Sequence, residues 1–310
     1  MPALVDGTWL RQYVDPQLLD EFKNLKDDFM ATLMPAPKEA IDKDGIRYNK
    51  LVSNVGFHVN KTTDFTPVVN DQKKTIIPWD KLDTDLTVLT DAEVRALAFD
   101  KENETRRLHR ESFRIGVRGY AMWKLAPTQN SATMPVLRTT GADVTEGGVT
   151  RKRLTIKDLV DFIAKIKTLN LPDGEKMYMI LCPEHEADLL IERNDKTITN
   201  RGDLIINPST GRIDRLYELK FFTNNQNVTY TTGGVLKAQG AVAVGTDRNA
   251  SIFYYGPNTV YHIEDVMSLY TPMNQSTRKA DPQADFRLHC YGLCDKKQEI
   301  GFGAIISAVV

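Results

Sequence analysis

The sequence has few cysteines and no long hydrophobic run, and both shortages limit what the protein can be. Its three cysteines are Cys182, Cys290 and Cys294, and a low, odd number is typical of a reducing compartment. Cys290 and Cys294 have no second pair to complete a zinc site. No apolar run approaches the ~20 residues that span a bilayer, and Met1–Leu10 lacks the basic and apolar regions of a signal peptide. We therefore expect buried thiols, no bound metal and no membrane partner.

The sequence also lacks the residue patterns of common catalytic and nucleotide-binding sites. Its histidines show no metal-ligand spacing, and no serine lies in a GxSxG elbow. Neither Gly147-Gly148 nor Gly233-Gly234 has the frame of a phosphate loop. Glu184-His185-Glu186 combines acid and imidazole, but adjacent residues on a helix point in different directions. We predict no catalytic residues, no cofactor and no enzymatic activity, which favours a binding or structural role.

Composition and charge are those of an ordinary soluble protein. Hydrophobic residues make up 41% of the chain and charged residues 26%, and the formal net charge is -1. Bulk charge therefore indicates no nucleic-acid partner. We interpret the basic run Arg151-Lys152-Arg153 as solvated surface. A length of 310 residues allows two domains or one elaborate one.

The clearest structural signal is a long helix over Lys101–Leu125, which would measure roughly 37 Å. Thr90 and Glu93 form a capping-box pattern ahead of it, Asp91–Phe99 is interpreted as a short lead-in helix, and Pro127 cannot continue the helix. At 100° per residue the helix is expected to present one core face and, opposite, a basic stripe. The core face comprises Leu108, Ser112, Ile115, Gly119 and Met122, beside His109, Phe113 and Tyr120; the stripe comprises Arg107, Arg110, Arg114 and Arg118.

The chain before this helix divides into an arm and a projection. Residues 1–15 are expected to be an extended arm in which Trp9 and Tyr13 are candidate anchors. Residues 16–33 have helical apolar spacing, either as a helix packed on its own domain or as part of an arm that docks on a neighbour. Residues 45–88 contain strand-like runs around a polar stretch, Asn60–Lys74. Such a hairpin has too few apolar residues for a core of its own and must lean on something to stay ordered.

The second half alternates helix and strand. We predict a helix over Thr155–Leu169, a buried strand over Met177–Cys182 and a helix from Pro183 to near Glu192. Longer strands are expected toward the end. They cover Gly211–Phe222, Ala250–Val260, His262–Tyr270, Phe286–Tyr291 and Ile300–Ile306, with Gly292–Glu299 as a connection between the last two. The glycine-containing loop Pro127–Val149 is interpreted as a domain boundary.

This order of elements resembles the major capsid proteins of tailed bacteriophages, which have the Hong Kong 97-like fold. The resemblance covers most of the chain and rests on order more than on single motifs. It is supported by KDLVDFIAKIKTLNLPDGEKMYMILCPEHEADLL at Lys157–Leu190, TGRIDRLYELKFFTNN at Thr210–Asn225, AVAVGTDRNASIFYYGPNTVYHIED at Ala241–Asp265 and FRLHCYGLCDKKQEIGFGAIISA at Phe286–Ala308. Gly211 and Ile213 fit the family's strand pattern. The glycine expected before phenylalanine is replaced by Leu219 or Lys220.

The resemblance implies an α+β fold with four parts. Residues 1–44 would be an N-terminal arm with a helix, and residues 45–88 an extended loop lying across a neighbouring subunit. Residues 89–140 and 251–310 would form a peripheral domain around a spine helix at about 101–125, ending in a terminal hairpin within Phe286–Ala308. Residues 141–250 would form an axial domain around capsomer centres.

The resemblance also implies a function and partners. The protein would self-assemble into pentamers and hexamers of an icosahedral shell around a double-stranded DNA genome. It would be located in the virion after assembly in the host cytoplasm. Expected partners are other copies of itself, separate scaffolding and portal proteins, possible decoration proteins and packaged DNA without sequence specificity. A nanocompartment shell of the same fold and a soluble α/β enzyme with an unrecognised site are the alternatives.

Under this interpretation the candidate functional residues are inter-subunit contacts. One hypothesis pairs the arginines of the stripe with acids of an adjacent subunit's loop, because arginine and carboxylate bind in two-pronged geometry. A second places the stripe against the genome, and a third pairs it within the helix with Glu104 and Glu111. The candidates are Trp9, Tyr13, Trp79, Asp80, Asp83, Asp85, Arg107, Arg110, Arg114 and Arg118.

Overall fold

The structure is a computed structural model, and the part of the chain that it describes carries all of the structural statements below. That part comprises residues 11–14, 29–52, 57–64, 71–90, 101–146, 148–172, 174–194, 204–207, 211–271 and 283–309. The expected lead-in helix at 91–99, Trp9 and residues 16–28 of the expected N-terminal helix lie outside the described residues.

Three α-helices and a series of strands are numbered here in chain order. The helices are α1 Lys101–Leu125, α2 Ile156–Lys167 and α3 Pro183–Asn194 among the described residues. The strands are β1 Arg11–Val14, β2 Ile41–Asp42, β3 Gly45–Val52, β4 Asp71–Pro78, β5 Asp80–Asp83, β6 Thr87–Thr90, β7 Val136–Arg138, β8 Asp143–Glu146, β9 Val149–Lys152, β10 Met177–Leu181, β11 Leu204–Ile206, β12 Ile213–Leu216, β13 Leu219–Thr223, β14 Val228–Tyr230, β15 Arg248–Tyr255, β16 Thr259–Ile263, β17 Met267–Thr271, β18 Gln283–Lys296 and β19 Phe302–Ile306.

One sheet is built around the long strand β18. Strands β16 and β17 pair with it antiparallel, β5 and β6 pair along its other side, and β1 extends the sheet beyond β17. The position of β5 and β6 differs from the sequence-based interpretation, which included residues 80–88 in the extended loop. They lie in the sheet because β18 is long enough to pair with both of them in succession.

Helix α1 covers one face of this sheet, and it has the range that the sequence predicts. Its predicted core face is right at Met122 but wrong at Leu108 and Ile115, which are 53% and 47% exposed. The buried positions are Thr105, His109, Phe113, Val117, Tyr120, Ala121, Met122 and Leu125. His109, Phe113 and Tyr120, which were predicted to lie beside the core face, are at its centre, and the polar Thr105 was not predicted to be buried. Burial of His109 is tolerated because both of its ring nitrogens are hydrogen-bonded, as the next subsection describes.

The other large sheet has the order β11-β12-β13-β10-β15-β19-β7, with β14 beside β15. Helix α2 packs on it through Leu159, Phe162 and Ile166. Thr155 begins α2 with the reciprocal hydrogen bonds of a capping box to Asp158. The same apolar core contains residues of α3 and of strands β10 to β13. The middle of the chain therefore forms one α/β unit.

The end of the chain differs from the expected terminal hairpin. Strand β18 runs through Gly292 to Lys296 instead of ending at Tyr291, and β19 pairs with β15 and β7 in the second sheet. The expected hairpin within Phe286–Ala308 is therefore wrong, because the residues after Lys296 cross from one sheet to the other. The single strand expected over His262–Tyr270 is also wrong, since β16 and β17 are separate.

Strands β3 and β4 form an antiparallel hairpin in continuous register from Gly45–Pro78 to Val52–Asp71. A small apolar cluster at its base contains Ile46, which is fully buried, with Val260 and Leu293 from the body. Gly45 has φ +148°, and a Cβ there would lie 2.1 Å from the Ile77 carbonyl oxygen. Only glycine therefore permits the hairpin to begin at this point.

Substitution of Gly303 tests how closely α2 packs against the second sheet. A Cβ at this position would lie 2.6 Å from Phe162 Cζ and 2.9 Å from the Pro135 carbonyl oxygen. We expect Gly303→Ala to lower the free energy of unfolding by about 1–3 kcal/mol, since the core must shift to accept the methyl group. Urea denaturation of the unassembled subunit measures this.

Gly116→Ala is the matched control. Gly116 lies within α1, and nothing approaches its would-be Cβ within 4 Å. The same substitution should therefore raise stability by about 0.5–1 kcal/mol through helix propensity. Equal effects at both positions would contradict the close packing at Gly303.

Candidate assembly surfaces

The hairpin of β3 and β4 exposes its apolar residues at the end furthest from its base. Phe57 is 90% exposed, and Val59, two residues on, is also exposed. Asn60 takes a positive φ of 50°, in the left-handed region that asparagine tolerates. A phenylalanine exposed to this degree is a candidate contact for another molecule, because burying an aromatic side chain contributes strongly to association.

Trp79, a candidate inter-subunit residue, lies at the base of the hairpin and is half-buried within its own subunit. Its indole Nε1 donates a hydrogen bond to the Asp42 carbonyl oxygen at 3.0 Å. Its ring lies 5.4 Å from the ring of His262, centroid to centroid. Trp79 therefore fixes the base of the hairpin to β16.

Two of the candidate aspartates, Asp80 and Asp83, also have contacts within the subunit. Asp80 accepts a hydrogen bond from the Tyr120 hydroxyl and lies 2.7 Å from Lys124 Nζ. Asp83 lies 2.6 Å from His289 Nδ1 and 3.0 Å from Lys81 Nζ. Burial alone would raise the pKa of Asp83, but hydrogen bonds from His289 and Lys81 hold it below its ordinary value.

The turn between β5 and β6 is fixed by His109 of α1. Nδ1 and Nε2 of this histidine form hydrogen bonds with the hydroxyls of Thr84 and Thr87, each at 2.7 Å. Burial lowers the pKa of His109, and the nearby Asp85 carboxylate acts in the opposite direction. Asp85 itself is exposed. The structure thus brings Asp85 near α1 but on the side of His109.

The four arginines of the stripe on α1 differ in their contacts and in their exposure. Arg107 binds Glu104 at 2.6 and 3.0 Å, and it lies 4.0 Å from Glu111. Arg110 and Arg118 are half-buried and Arg114 is exposed. Within the described residues Arg114 has no ion pair or hydrogen bond. The intrahelical hypothesis therefore describes Arg107, while Arg114 has no acidic partner in the part of the chain that the structure describes.

Tyr13 lies on β1, where the register pairs it with Ser268 of β17. The described part of the arm thus adds a strand to its own subunit's sheet. Phe29, Met30 and Leu33, the residues that follow the undescribed segment, are buried in the core beneath α1. Trp9 stays a prediction.

His185 has the contacts of a structural residue. It is fully buried, with Nδ1 2.7 Å from the Ser251 hydroxyl and Nε2 2.9 Å from the Ser307 hydroxyl. Burial lowers its pKa to about 4, and burial raises the pKa of the neighbouring Cys182 thiol to about 12. A neutral imidazole and a protonated thiol without access to solvent have no means to act on a substrate.

Arg151 corrects the interpretation of Arg151-Lys152-Arg153 as solvated surface. Its guanidinium is buried and binds Asp188 of α3 at 2.5 and 3.1 Å, and Glu146 at 3.1 Å. Asp188 also accepts a hydrogen bond from the Leu154 amide. Asp188, the buried acid that neutralises Arg151, lies 37 residues away in sequence, so no local pattern indicated the burial of this arginine.

The described residues contain no cluster of three or more His, Cys, Asp or Glu side chains able to hold a metal ion. No helix in the described ranges is both long and apolar enough to cross a bilayer. The features that stand out are a hairpin with exposed side chains at its end, a body of two sheets and a long helix that packs on both of them. This arrangement matches the Hong Kong 97-like fold that the sequence predicts.

Solved capsids share this fold across nearly the whole chain. The capsid of Ralstonia phage GP4 matches with a TM-score of 0.57 at 11% identity, over 90% of this chain and 87% of that one. The mature capsid of bacteriophage PhiM1 matches with a TM-score of 0.55 at 10% sequence identity, over 88% of this chain and 84% of that one. The capsid of cyanophage P-SCSP1u matches with a TM-score of 0.53 at 13% sequence identity, over 97% of this chain and 90% of that one. These likenesses confirm the predicted α+β capsid fold. No protein-family model and no curated protein matches the sequence.

The buried His185 generates a pH prediction. Between pH 6.5 and about 4 the unfolded chain binds a proton at this residue and the folded chain does not. Stability contributed by the neutral imidazole is therefore complete above pH 6.5 and is lost as the pH falls toward 4, by about 3 kcal/mol. Denaturant titrations of the unassembled subunit across this range measure the loss.

His185→Asn should remove this part of the pH dependence, because it removes the titrating group. His58→Asn, at the exposed end of the hairpin, is the matched control and should leave the pH dependence unchanged. An unaltered slope in His185→Asn would show that another group causes the acid sensitivity.

Proposed function

We propose that this protein is the major capsid protein of a tailed bacteriophage. It assembles into pentamers and hexamers, which form an icosahedral shell around a double-stranded DNA genome. The observation that carries the proposal is the capsid fold over most of the chain, together with a hairpin whose described apolar contacts lie only at its base.

The physical argument concerns the hairpin. A two-stranded ribbon is at best marginally stable in water unless another element covers it. In a shell, each hairpin lies against a neighbour, and each neighbour presents a different surface from the one it receives. Such heterologous contacts close into rings when the rotation between subunits allows it. The exposed Phe57 and Val59 are suited to this use, since burial on a neighbour removes apolar surface from water.

The proposal includes partners and a location. Other copies of the chain are the main partner, with separate scaffolding and portal proteins and possible decoration proteins. The protein resides in the virion and assembles in the host cytoplasm. It performs no catalysis, and the burial of His185 and Cys182 supports this.

Expression of the chain alone, followed by size measurement and negative-stain microscopy, tests the proposal. We expect capsomers or closed shells rather than a 35.0 kDa monomer. A stable monomer whose melting temperature rises with a small-molecule ligand would overturn the shell function and favour an enzyme.

The arginine side of α1 faces packaged DNA in this proposal. The helix carries seven basic and three acidic residues, a net charge of +4. Asp80 and Asp83, which were candidate partners on an adjacent subunit, already have cationic or hydroxyl partners within their own subunit. Exposed arginines bind phosphate oxygens without reading sequence. This supports the genome over a neighbouring subunit as the partner of Arg114.

Arg114→Glu separates the two partners. We expect normal shell assembly, weaker binding of duplex DNA to dissociated capsomers, and a log-log salt dependence of that binding shallower by about one. Fluorescence anisotropy at several salt concentrations measures binding. Lys165→Glu, an exposed position on α2, is the control and should change neither property. Lost assembly with unchanged DNA binding would instead place Arg114 at a subunit interface.

A further inference from the structure

A groove lies between helix α1 and the loop that joins β14 to β15. Its volume is about 290 Å³, and α1 contributes Gly116, Gly119 and Trp123 to its lining, while the loop contributes residues 237–241. Gly116 and residues 239–241 are exposed, so the groove is open to solvent. An apolar cavity of about 150 Å³ can hold a benzene molecule, and this groove therefore has room for small side chains together with their backbone.

Gly116 keeps the groove open although its own subunit does not require a glycine there. It lies in the interior of α1, where glycine is less favourable than alanine, and nothing lies within 4 Å of the position that a Cβ would take. At Gly119, by contrast, a Cβ would lie 2.5 Å from Gln226 Oε1. Packing inside the subunit thus explains Gly119 but not Gly116. Glycine is also used where another molecule approaches the backbone closely.

Hydrogen bonds to α1 fix the lining of the groove. Trp123 Nε1 donates a hydrogen bond to the Lys237 carbonyl oxygen at 2.7 Å. Gln226 Nε2 donates one to the Ile115 carbonyl oxygen at 2.8 Å. The two bonds join separate segments of the chain to α1 more than one turn apart. The groove is therefore preformed, which lowers the entropy lost when a partner binds.

The chain continues from the groove into an exposed apolar segment. We call residues 241–245, which have the sequence AVAVG, the valine loop. All five are exposed, Val242 at 88% and Val244 at 63%. Apolar side chains that are exposed together to this degree are characteristic of an interaction site.

A largely buried ion pair holds the valine loop in place. Lys237 Nζ lies 2.5 Å from Asp247 Oδ2, and it donates a hydrogen bond to the Val242 carbonyl oxygen at 2.8 Å. The same carboxylate oxygen accepts a hydrogen bond from the Val244 amide at 2.7 Å. The side chains of Lys237 and Asp247 are 17% and 4% exposed. The loop thus presents its valines in a fixed conformation, and the charge of Lys237 is neutralised within the subunit.

The lack of available charge identifies the kind of partner. Among the described residues that line the groove, Lys237 alone is charged, and Asp247 neutralises it. A nucleic acid gains little from such a surface, because its phosphates bind to available cations. A charged side chain in the groove would lose water without gaining a partner. The groove therefore suits an uncharged apolar segment, and the valine loop has that chemistry.

The groove and the valine loop face the same neighbour, because they adjoin each other. Ala241 lines the groove and is also the first residue of the loop. When the loop of one copy enters the groove of a second copy, the loop of the second copy consequently lies beside the groove of the first. A reciprocal contact of this kind is isologous, with a two-fold axis between the two copies.

We propose that two copies of this chain join through this surface, each placing Val242 of its valine loop in the groove of the other. The proposal rests on the shell function proposed above and names one contact between subunits of the shell. Burial of Val242 and Val244 removes apolar surface from water. Gly116 lets the backbone of the incoming loop approach α1 closely.

Substitutions on both sides of the contact test the proposal. Gly116→Leu fills the groove and Val242→Asp places a charge in it, so each should lower particle yield at least tenfold. Both subunits should still fold, since neither position is packed inside the subunit. The controls are Ala164→Leu and Val160→Asp, at exposed positions of α2, which does not line the groove. They should match wild type. Thermal melting of unassembled subunits verifies folding, and sedimentation with microscopy measures particle yield.

Cross-linking identifies the partner of the groove. Chains with Gly116→Cys and chains with Val242→Cys are co-expressed, and their particles are treated with a short bis-maleimide. The three native cysteines are buried and should not react. We expect at least tenfold more covalent dimer in mixed particles than in particles of either variant alone.

The outcomes separate the contact from the shell function. Normal particle yield in Gly116→Leu or Val242→Asp, or mixed particles without additional covalent dimer, would overturn the contact while leaving the shell function intact. A loss of yield in the controls equal to that in the groove and loop variants would also overturn it. Failure of the wild-type chain to form any particle would instead overturn the shell function, and the contact with it.

Discussion

Helix α1 packs on both sheets at once, and the rest of the structure depends on that shared core. Phe286 and Leu288 come from the first sheet, Ile252 and Tyr254 from the second, and all four lie in one apolar cluster with α1. The sheets thus have no separate interface that opens independently of the helix. This core holds β18 in place, and through β18 it holds the strands that carry the base of the hairpin.

The sequence predicted those elements whose signals are local. The bounds of α1, the helix that begins after Thr155 and the buried strand at Met177 all follow from residues close together in the chain. The order of elements indicated the capsid fold, which the solved structures confirm. The partner of β19 was not predictable in this way, because Phe302–Ile306 is equally apolar whether it pairs with β18 or with β15.

Less of the candidate site could be predicted from the sequence, because its contacts also join segments that are distant in the chain. Burial of His109 and Arg151 depends on partners supplied by other segments, namely Thr84, Thr87 and Asp188. A pattern based on hydrophobicity assigns such residues to the surface. The contacts that Asp80 and Asp83 make inside the subunit were likewise not indicated by any local pattern. A net charge of -1 for the whole chain also hides the basic helix α1.

The crossing of the chain from β18 to β19 has a mechanical consequence. Strand β18 pairs with β5, β6, β16 and β17, and a short connection then joins it to β19 in the other sheet. A pull on the hairpin reaches β18 through β5, and it is directed along the strands rather than across them. Load in that direction is shared by many ladder hydrogen bonds, which must break together instead of one after another. The described body therefore resists a pull along β18 in shear, and the short connection after β18 joins the two sheets in addition to the core that they share with α1.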